Sequence, residues 1–371
     1  MVKQVNMSSV LSKIKSANMK TIVTLICGVI LFLIIYWVQR KLTLKKRNIN
    51  RMKGNYQSFP LISNMNSSND NYNHELRDYY IKTAYNCCAT GGFKHDFVAD
   101  DALKTCLRQG VRCLDFQIYS IDNKPVIAVS SDTEFNVKGS YNSIPFSSAM
   151  NVISDYAFSG TTSPCPDDPL ILHFRIMTKN MSILDKMADD ISMILNRRVL
   201  DKQFSYENGG KNIGSTPIKN LKNKVVIIVD KSLANPSKTK LDEYVNLASN
   251  SMFMRCLRYR DVKFTPDMQE LIEYNKKNIT VCLPDLGDKV DNPSSSLAMK
   301  YGCQFVAMSF QKLDSKMVYY NKLFDEEGSS FILKPENLRF KPTTITIPDP
   351  PPEKYSYAER EVKSDFYNFK M

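Results

Sequence analysis

Histidine is scarce in this chain: His74, His95 and His173 are the only three in 371 residues. No Cys-x-x-Cys pair and no Cys/His cluster with metal spacing occurs, which excludes the common structural zinc modules. The nine cysteines (27, 87, 88, 106, 113, 165, 256, 282 and 303) are scattered, odd in number and mostly inside apolar runs. They read as buried free thiols of a reducing compartment, not as a disulfide framework. Aspartate and glutamate are missing from residues 1–60, which hold eleven Lys or Arg. That segment supplies +11 of the formal net charge of +12, leaving about +1 for the rest. The basic character is therefore not spread over a nucleic-acid surface. Anionic lipid headgroups are the better partner. No internal repeat is visible.

What is present begins with an uncharged run from Thr21 to Val38, TIVTLICGVILFLIIYWV. As a helix it reaches roughly 27 Å, enough for a hydrocarbon core. Tyr36 and Trp37 close it, where aromatic rings favour the headgroup interface. A cleaved signal peptide is the competing reading, but its apolar core would be shorter and followed by small residues. Here Gln39-Arg40-Lys41 follows, which favours an anchor. Four lysines precede the span (3, 13, 15 and 20), and seven basic residues follow it (Arg40, Lys41, Lys45, Lys46, Arg47, Arg51 and Lys53). The excess places the C-terminal side in the cytosol. Residues 1–20 are a basic N-terminal segment. Residues 39–76 continue as a basic flank and a polar linker rich in Asn and Ser.

From 77 to 340, short apolar runs alternate with helix-like segments. Strands are expected at 79–83, 112–119, 125–130, 170–176, 224–230, 252–259, 279–283 and 303–310. Helices are expected at 99–109, 146–157, 182–195 and 266–276. Eight strands alternating with helices predict an α/β fold, a parallel barrel, with a doubly wound sheet as the alternative. Residues 341–371 form a tail. Its prolines 348–352 demand extended backbone, and Tyr355, Tyr357, Phe366, Tyr367 and Phe369 must fold back on the barrel or dock on a partner.

The segment LRQGVRCLDFQIY (107–119), the runs KPVIAVSS, NSIPFSSAMNVISDYAF and DPLILHFRI, and then YGCQFVAMSFQ (301–311) and SSFILKPENLR (329–339) carry a family resemblance. In order and spacing they resemble the X and Y halves of phosphoinositide-specific phospholipase C. The resemblance covers about residues 78–340 and implies a TIM-type (β/α)8 barrel preceded by one transmembrane helix. No pleckstrin, EF-hand or C2 module accompanies it.

The chemistry implied by that resemblance is attack of a substrate hydroxyl on its own phosphodiester, served by two histidines and a Ca²⁺ ion on oxygen ligands. This sequence departs from it at nearly every position. Tyr85 of Ala84-Tyr85-Asn86 stands where the family has its first histidine, and Val129 where it has the second. The acidic pair of the second strand becomes Asp115 and Gln117. The acid ending the fourth strand becomes Arg175. Only Asn86 and Asp115 keep ligand character. Valine cannot transfer a proton, and a phenol is a poor acid–base group at neutral pH. A guanidinium in the cation's seat opposes a divalent ion. His173, within its strand, reads as a hydrogen-bonded barrel residue, and His95 lies in a loop near the pocket mouth. The resemblance therefore implies no catalytic residue and no cofactor, the Ca²⁺ site being lost. Lys231 and Lys289 fall near positions that hold ring phosphates in the family, so anionic headgroup binding stays open.

Three function classes follow: a catalytically inactive barrel used as a membrane-anchored structural or docking module, a phosphoinositide-headgroup binder, and a phosphodiesterase with altered machinery. Degenerate barrels of this kind, with an anchor and a Pro-aromatic tail, look like virion proteins of large double-stranded DNA viruses. That similarity implies a minor capsid or inner-membrane component with the barrel facing the capsid, bound to other capsid or membrane proteins. Topology is testable directly. Expressed in cells that glycosylate, the chain should carry no glycan at Asn66, Asn180 or Asn278. A mass shift removed by glycosidase at any of them places the barrel in the lumen instead.

Overall fold

The computed structural model of the chain describes residues 19–66, 68–132, 137–205, 212–231, 234–249, 251–287, 290–342 and 358–371. Helix α1, Met19–Leu42, covers the apolar run and extends four residues beyond it. At about 36 Å it is the one helix among the described residues long and apolar enough to cross a membrane. Its side chains are exposed almost throughout.

Beyond it, eight strands form a curled sheet in the order β7-β6-β5-β2-β1-β10-β9-β8. They are β1 (Tyr79–Ala84), β2 (Cys113–Ile121), β5 (Leu170–Ile176), β6 (Val225–Asp230), β7 (Leu247–Ala248), β8 (Met254–Arg258), β9 (Ile279–Leu283) and β10 (Phe305–Met308). Every neighbouring pair on this path is parallel. The two path ends, β7 and β8, are consecutive in the chain, so the sheet is a nearly closed barrel and not an open doubly wound sheet. β5 and β6 are buried along their whole length, as strands covered on both faces must be, and their runs LILHFRI and VVIIVD suit that burial.

Helices pack outside: α3 (Asp100–Arg108), α4 (Phe146–Tyr156), α5 (Ser182–Leu195), α6 (Tyr259–Lys263), α7 (Met268–Lys277), α8 (Ser295–Lys300) and α9 (Ser315–Glu327). β11 (Phe331–Leu333) pairs antiparallel with β1 and closes the strand-start end. At that end the Arg112 guanidinium is fully buried. It donates to the Ala157 carbonyl (3.1 Å), the Ser163 hydroxyl (2.6 Å) and the Cys165 carbonyl.

Two expectations change. The predicted barrel strand at 125–130 is β3 (Lys124–Ala128), a hairpin partner of β2 that also pairs antiparallel with the short β4 (Ile144–Pro145). In the ring β2 pairs directly with β5, and the count of eight is completed by β7 beside β6, whose two residues are too few to leave a pattern. The segment 39–76 is not a free linker: α2 (Leu44–Asn55) packs against α3, burying Met52, and Tyr56, Ile62 and Met65 continue into the core. Within the tail, the described residues carry local structure that the sequence reading did not foresee. Glu361–Lys363 (β12) and Asn368–Lys370 (β13) form an antiparallel hairpin, with Tyr367 and Phe369 rings 5.6 Å apart. The proline run lies outside the described residues.

Because Met52 is 2% exposed, Met52→Ala should cost about 2–5 kcal/mol of stability. Lys46→Ala, on the exposed side of α2, should stay within about 0.5 kcal/mol of the parent. Thermal unfolding of the two variants distinguishes a docked helix from a linker.

Candidate functional site at the strand ends

The C-terminal ends of β1, β2 and β5 converge. β2 and β5 are in register, with Asp115 beside His173 and Gln117 beside Arg175. Side chains two apart on each strand therefore share the barrel interior. Asn86, just past β1, has φ 45°, a left-handed conformation that asparagine tolerates better than most residues. Its backbone N–H donates to Asp115 Oδ2 at 3.0 Å.

These groups meet on the Arg175 guanidinium. Its Nε donates to Asp115 Oδ1 at 2.8 Å and its Nη2 to Asp115 Oδ2 at 2.6 Å, the paired fork geometry of a strong charge-assisted contact. Nη2 also donates to Asn86 Oδ1 at 2.8 Å. The Tyr85 ring lies over the guanidinium carbon at 4.7 Å and is packed edge-on by Phe93 at 5.4 Å. His173 Nδ1 lies 2.9 Å from Asp115 Oδ1. Burial pushes the Asp115 carboxyl up, but Arg175 and His173 outweigh it and hold the group well below the usual carboxylate range. Burial likewise disfavours the Arg175 cation, and the Asp115 charge more than restores it.

Tyr85, Asn86, Asp115 and Arg175, four of the six positions read from the sequence, form one buried cluster. The other two make different hydrogen bonds. Gln117 accepts the Ser130 N–H at 2.7 Å, and the Val129 carbonyl accepts the Gly139 and Ser140 N–H groups at 2.8 and 3.0 Å. Both hold the β3 loop. All six are at most 2% exposed. His173 is fully buried beside the cluster, and His95 is exposed. Lys231 follows β6 at the same end of the barrel, half-buried, and Lys289 lies outside the described residues.

Arg258 escaped the sequence reading. From the end of β8 it donates to the Tyr85 hydroxyl at 3.4 Å and to the Pro284 carbonyl at 3.0 Å, covering the cluster. Its position at a strand's C-terminal end was the available signal.

Arg175→Met leaves a buried, unpaired carboxylate and should cost about 3–5 kcal/mol. The pH dependence should also change sign. With its pKa depressed, Asp115 stabilises the parent above the unfolded carboxylate value of about 4, and this contribution is lost as pH falls below it. Without the guanidinium, burial raises the Asp115 pKa, so the variant should gain stability as pH falls from neutral. Unfolding curves at several pH values check both signs, and adding Asp115→Leu should recover much of the loss.

Two adjoining family models match this chain: phosphatidylinositol-specific phospholipase C, X domain, over residues 72–231, and phosphatidylinositol-specific phospholipase C, Y domain, over residues 226–337. Among solved structures, PLC21 of L. pealei is similar, with a TM-score of 0.59 and 19% identity over 72% of this chain and 38% of that one. PLC21 of S. officinalis gives a TM-score of 0.59 and 18% identity over 76% and 39%. The chain thus spans less than two fifths of the length of either protein, and at this identity the likeness concerns the fold. With both halves matched in order and folded into one barrel, the chain belongs to the phosphatidylinositol-specific phospholipase C family.

Proposed function

We propose that this protein is a catalytically silent member of its family, a membrane-anchored barrel that serves as a structural or docking module. One observation carries the reading: the Arg175 guanidinium occupies the point where the Asn86 and Asp115 oxygens converge. A calcium ion needs six to eight oxygen ligands. Here the oxygens with ligand character are committed to a fixed cation, and a second positive charge beside it would be repelled. This donor set does not fit Ca²⁺.

The acid–base side fits no better. Tyr85 is stacked on Arg175 and covered by Arg258, and Val129 has no proton to give. His173 is fully buried on Asp115 and has no path to a substrate. The closed cluster likewise disfavours a headgroup pocket, since a ring phosphate has no exposed partner among the six positions.

Anchoring rests on α1, whose apolar length and flanking basic residues suit a single-pass span with the barrel on the cytosolic side. In a virion of a large double-stranded DNA virus, the setting suggested by the similarity of the sequence, this arrangement turns the barrel from the inner membrane toward the capsid. Other capsid or membrane proteins would then dock on its surface and on the tail.

The purified barrel should hydrolyse phosphatidylinositol no faster than a protein-free blank, with or without added Ca²⁺. Calcium-dependent release of inositol phosphate above the blank would refute catalytic silence. Particles assembled without the protein should show defective capsid closure. Normal, infectious particles would remove the structural role.

A further inference from the structure

The outward face of α3 carries charges that its packing does not use. Ala102, Leu103, Cys106 and Leu107 are buried against the barrel. Asp101, Lys104 and Arg108 recur at the three- and four-residue spacing of a single helix face. They line one side of a cleft of about 510 Å³. Lys53 of α2 and, past its end, Phe59 form a second wall; Tyr156, at the end of α4, and Thr161 complete the lining. The volume is that of a small-ligand site.

The cations of this cleft are oriented without being neutralised. Only Lys53 has a counterion, Asp101 at 2.6 Å. Lys104 and Arg108 pair with no carboxylate among the described residues. Each lies on an aromatic ring instead. Lys104 Nζ is 4.8 Å from the centre of Tyr156, and the Arg108 guanidinium carbon is 4.8 Å from the centre of Phe59. Contacts of this kind hold a cation in place and leave its charge intact. Arg108 Nη2 also donates to the Gln57 carbonyl at 2.9 Å, which fixes the fork and leaves further N–H donors for a ligand. Other surface cations are settled differently. Lys202 sits on Glu243 at 2.7 Å, Lys240 on Asp189 at 3.0 Å and Arg255 on Glu270 at 2.7 Å.

Charge and donor geometry select the ligand. Lys53, Lys104 and Arg108 against the lone Asp101 leave a surplus of two positive charges in the lining. A phosphate monoester carries about −1.5 to −2 at neutral pH on three acceptor oxygens. A guanidinium fork beside an ammonium suits that group, the fork by paired hydrogen bonds and the ammonium as a point charge. The Thr161 hydroxyl, 2.9 Å from that of Ser159, adds an uncharged donor at the rim.

We propose that the cleft between α2, α3 and the end of α4 binds a phosphate monoester presented from solution, with Arg108 and Lys104 as its main contacts. A lipid phosphate offers the same chemistry from another source. Thr43, the one residue between α1 and α2, is itself in the helical region, with φ −87° and ψ −7°. Lys53 thus stands fifteen residues past Val38, about 22 Å of helix, whereas a headgroup layer is roughly 5–8 Å deep. The choice of a soluble source rests on the reading of α1 as a membrane anchor; the anion site does not.

The test is isothermal titration of the full chain in phosphatidylcholine nanodiscs at low salt, with phenyl phosphate as the probe and phenyl sulfate as a singly charged control of the same shape. Phenyl phosphate should bind at least about tenfold more tightly than phenyl sulfate. Arg108→Gln and Lys104→Gln should each weaken it at least about fivefold, and Lys202→Gln should leave it unchanged. Asp101→Asn removes the negative charge from the cleft and should tighten binding about fivefold, a gain that damage to the fold would not produce. Equal affinity for the two probes, indifference to both Gln substitutions, or no gain from Asp101→Asn would each overturn the site. Nanodiscs containing phosphatidic acid, matched in charge by others containing phosphatidylserine, test the source. Equal phenyl phosphate affinity in both supports a soluble ligand. Weaker affinity with phosphatidic acid alone means that a lipid phosphate occupies the cleft, which keeps the anion site and overturns its soluble source.

Discussion

The ion pair between Arg175 and Asp115 is the constraint around which the strand-end face is built. It joins β5 to β2 through two parallel hydrogen bonds, and through Asn86 it reaches the end of β1. Both charges are out of water, where a lone charge would be costly and a hydrogen-bonded pair is tolerated. Once that pair is in place, the remaining choices follow. An aromatic face can cover the guanidinium, as Tyr85 does. The charge is covalently part of the chain and does not depend on an ion in solution.

The other end of the barrel solves the same problem differently. Arg112 and Lys334 are also buried cations, but their partners are mainly uncharged: carbonyls, a hydroxyl and, for the Lys334 ammonium, the Asn275 carbonyl at 2.9 Å. Burial lowers the Lys334 pKa to about 7, so its charge is held only weakly. Strand-start contacts of this type secure the closing segment, Ser329 to Lys334, against β1. Packing at one end and chemistry at the other is the usual division of labour in such barrels, and it explains how the chemical end can change while the fold persists.

Strands buried on both faces were the most legible elements, because β5 and β6 leave unbroken apolar runs. β7 was illegible: two residues carry no periodicity. β3 misled for a physical reason, since a hairpin partner of a long strand has the same alternation as a ring strand and differs only in pairing. Residues 44–55 looked like solvated flank because most of their surface is basic, and only Asn48 and Met52 are buried within the helix. At the site, the family pattern brought Asn86, Asp115 and Arg175 to one place. Pattern could not show that Tyr85 stacks on the guanidinium or that Arg258 closes over it, because both depend on loop paths after β1 and β8.

Thr43 alone separates α1 from α2, which has a consequence for assembly if α1 spans a bilayer as proposed. A barrel on a flexible tether tumbles, and any partner must halt that tumbling when it binds, a cost that subtracts from affinity. If α1 spans a bilayer as proposed, its direct continuation into α2, which is packed on the barrel, would restrict rotation of the barrel about axes in the membrane plane. A lattice of partners above the membrane would meet subunits that all present one surface outward, differing only by their spin about the membrane normal.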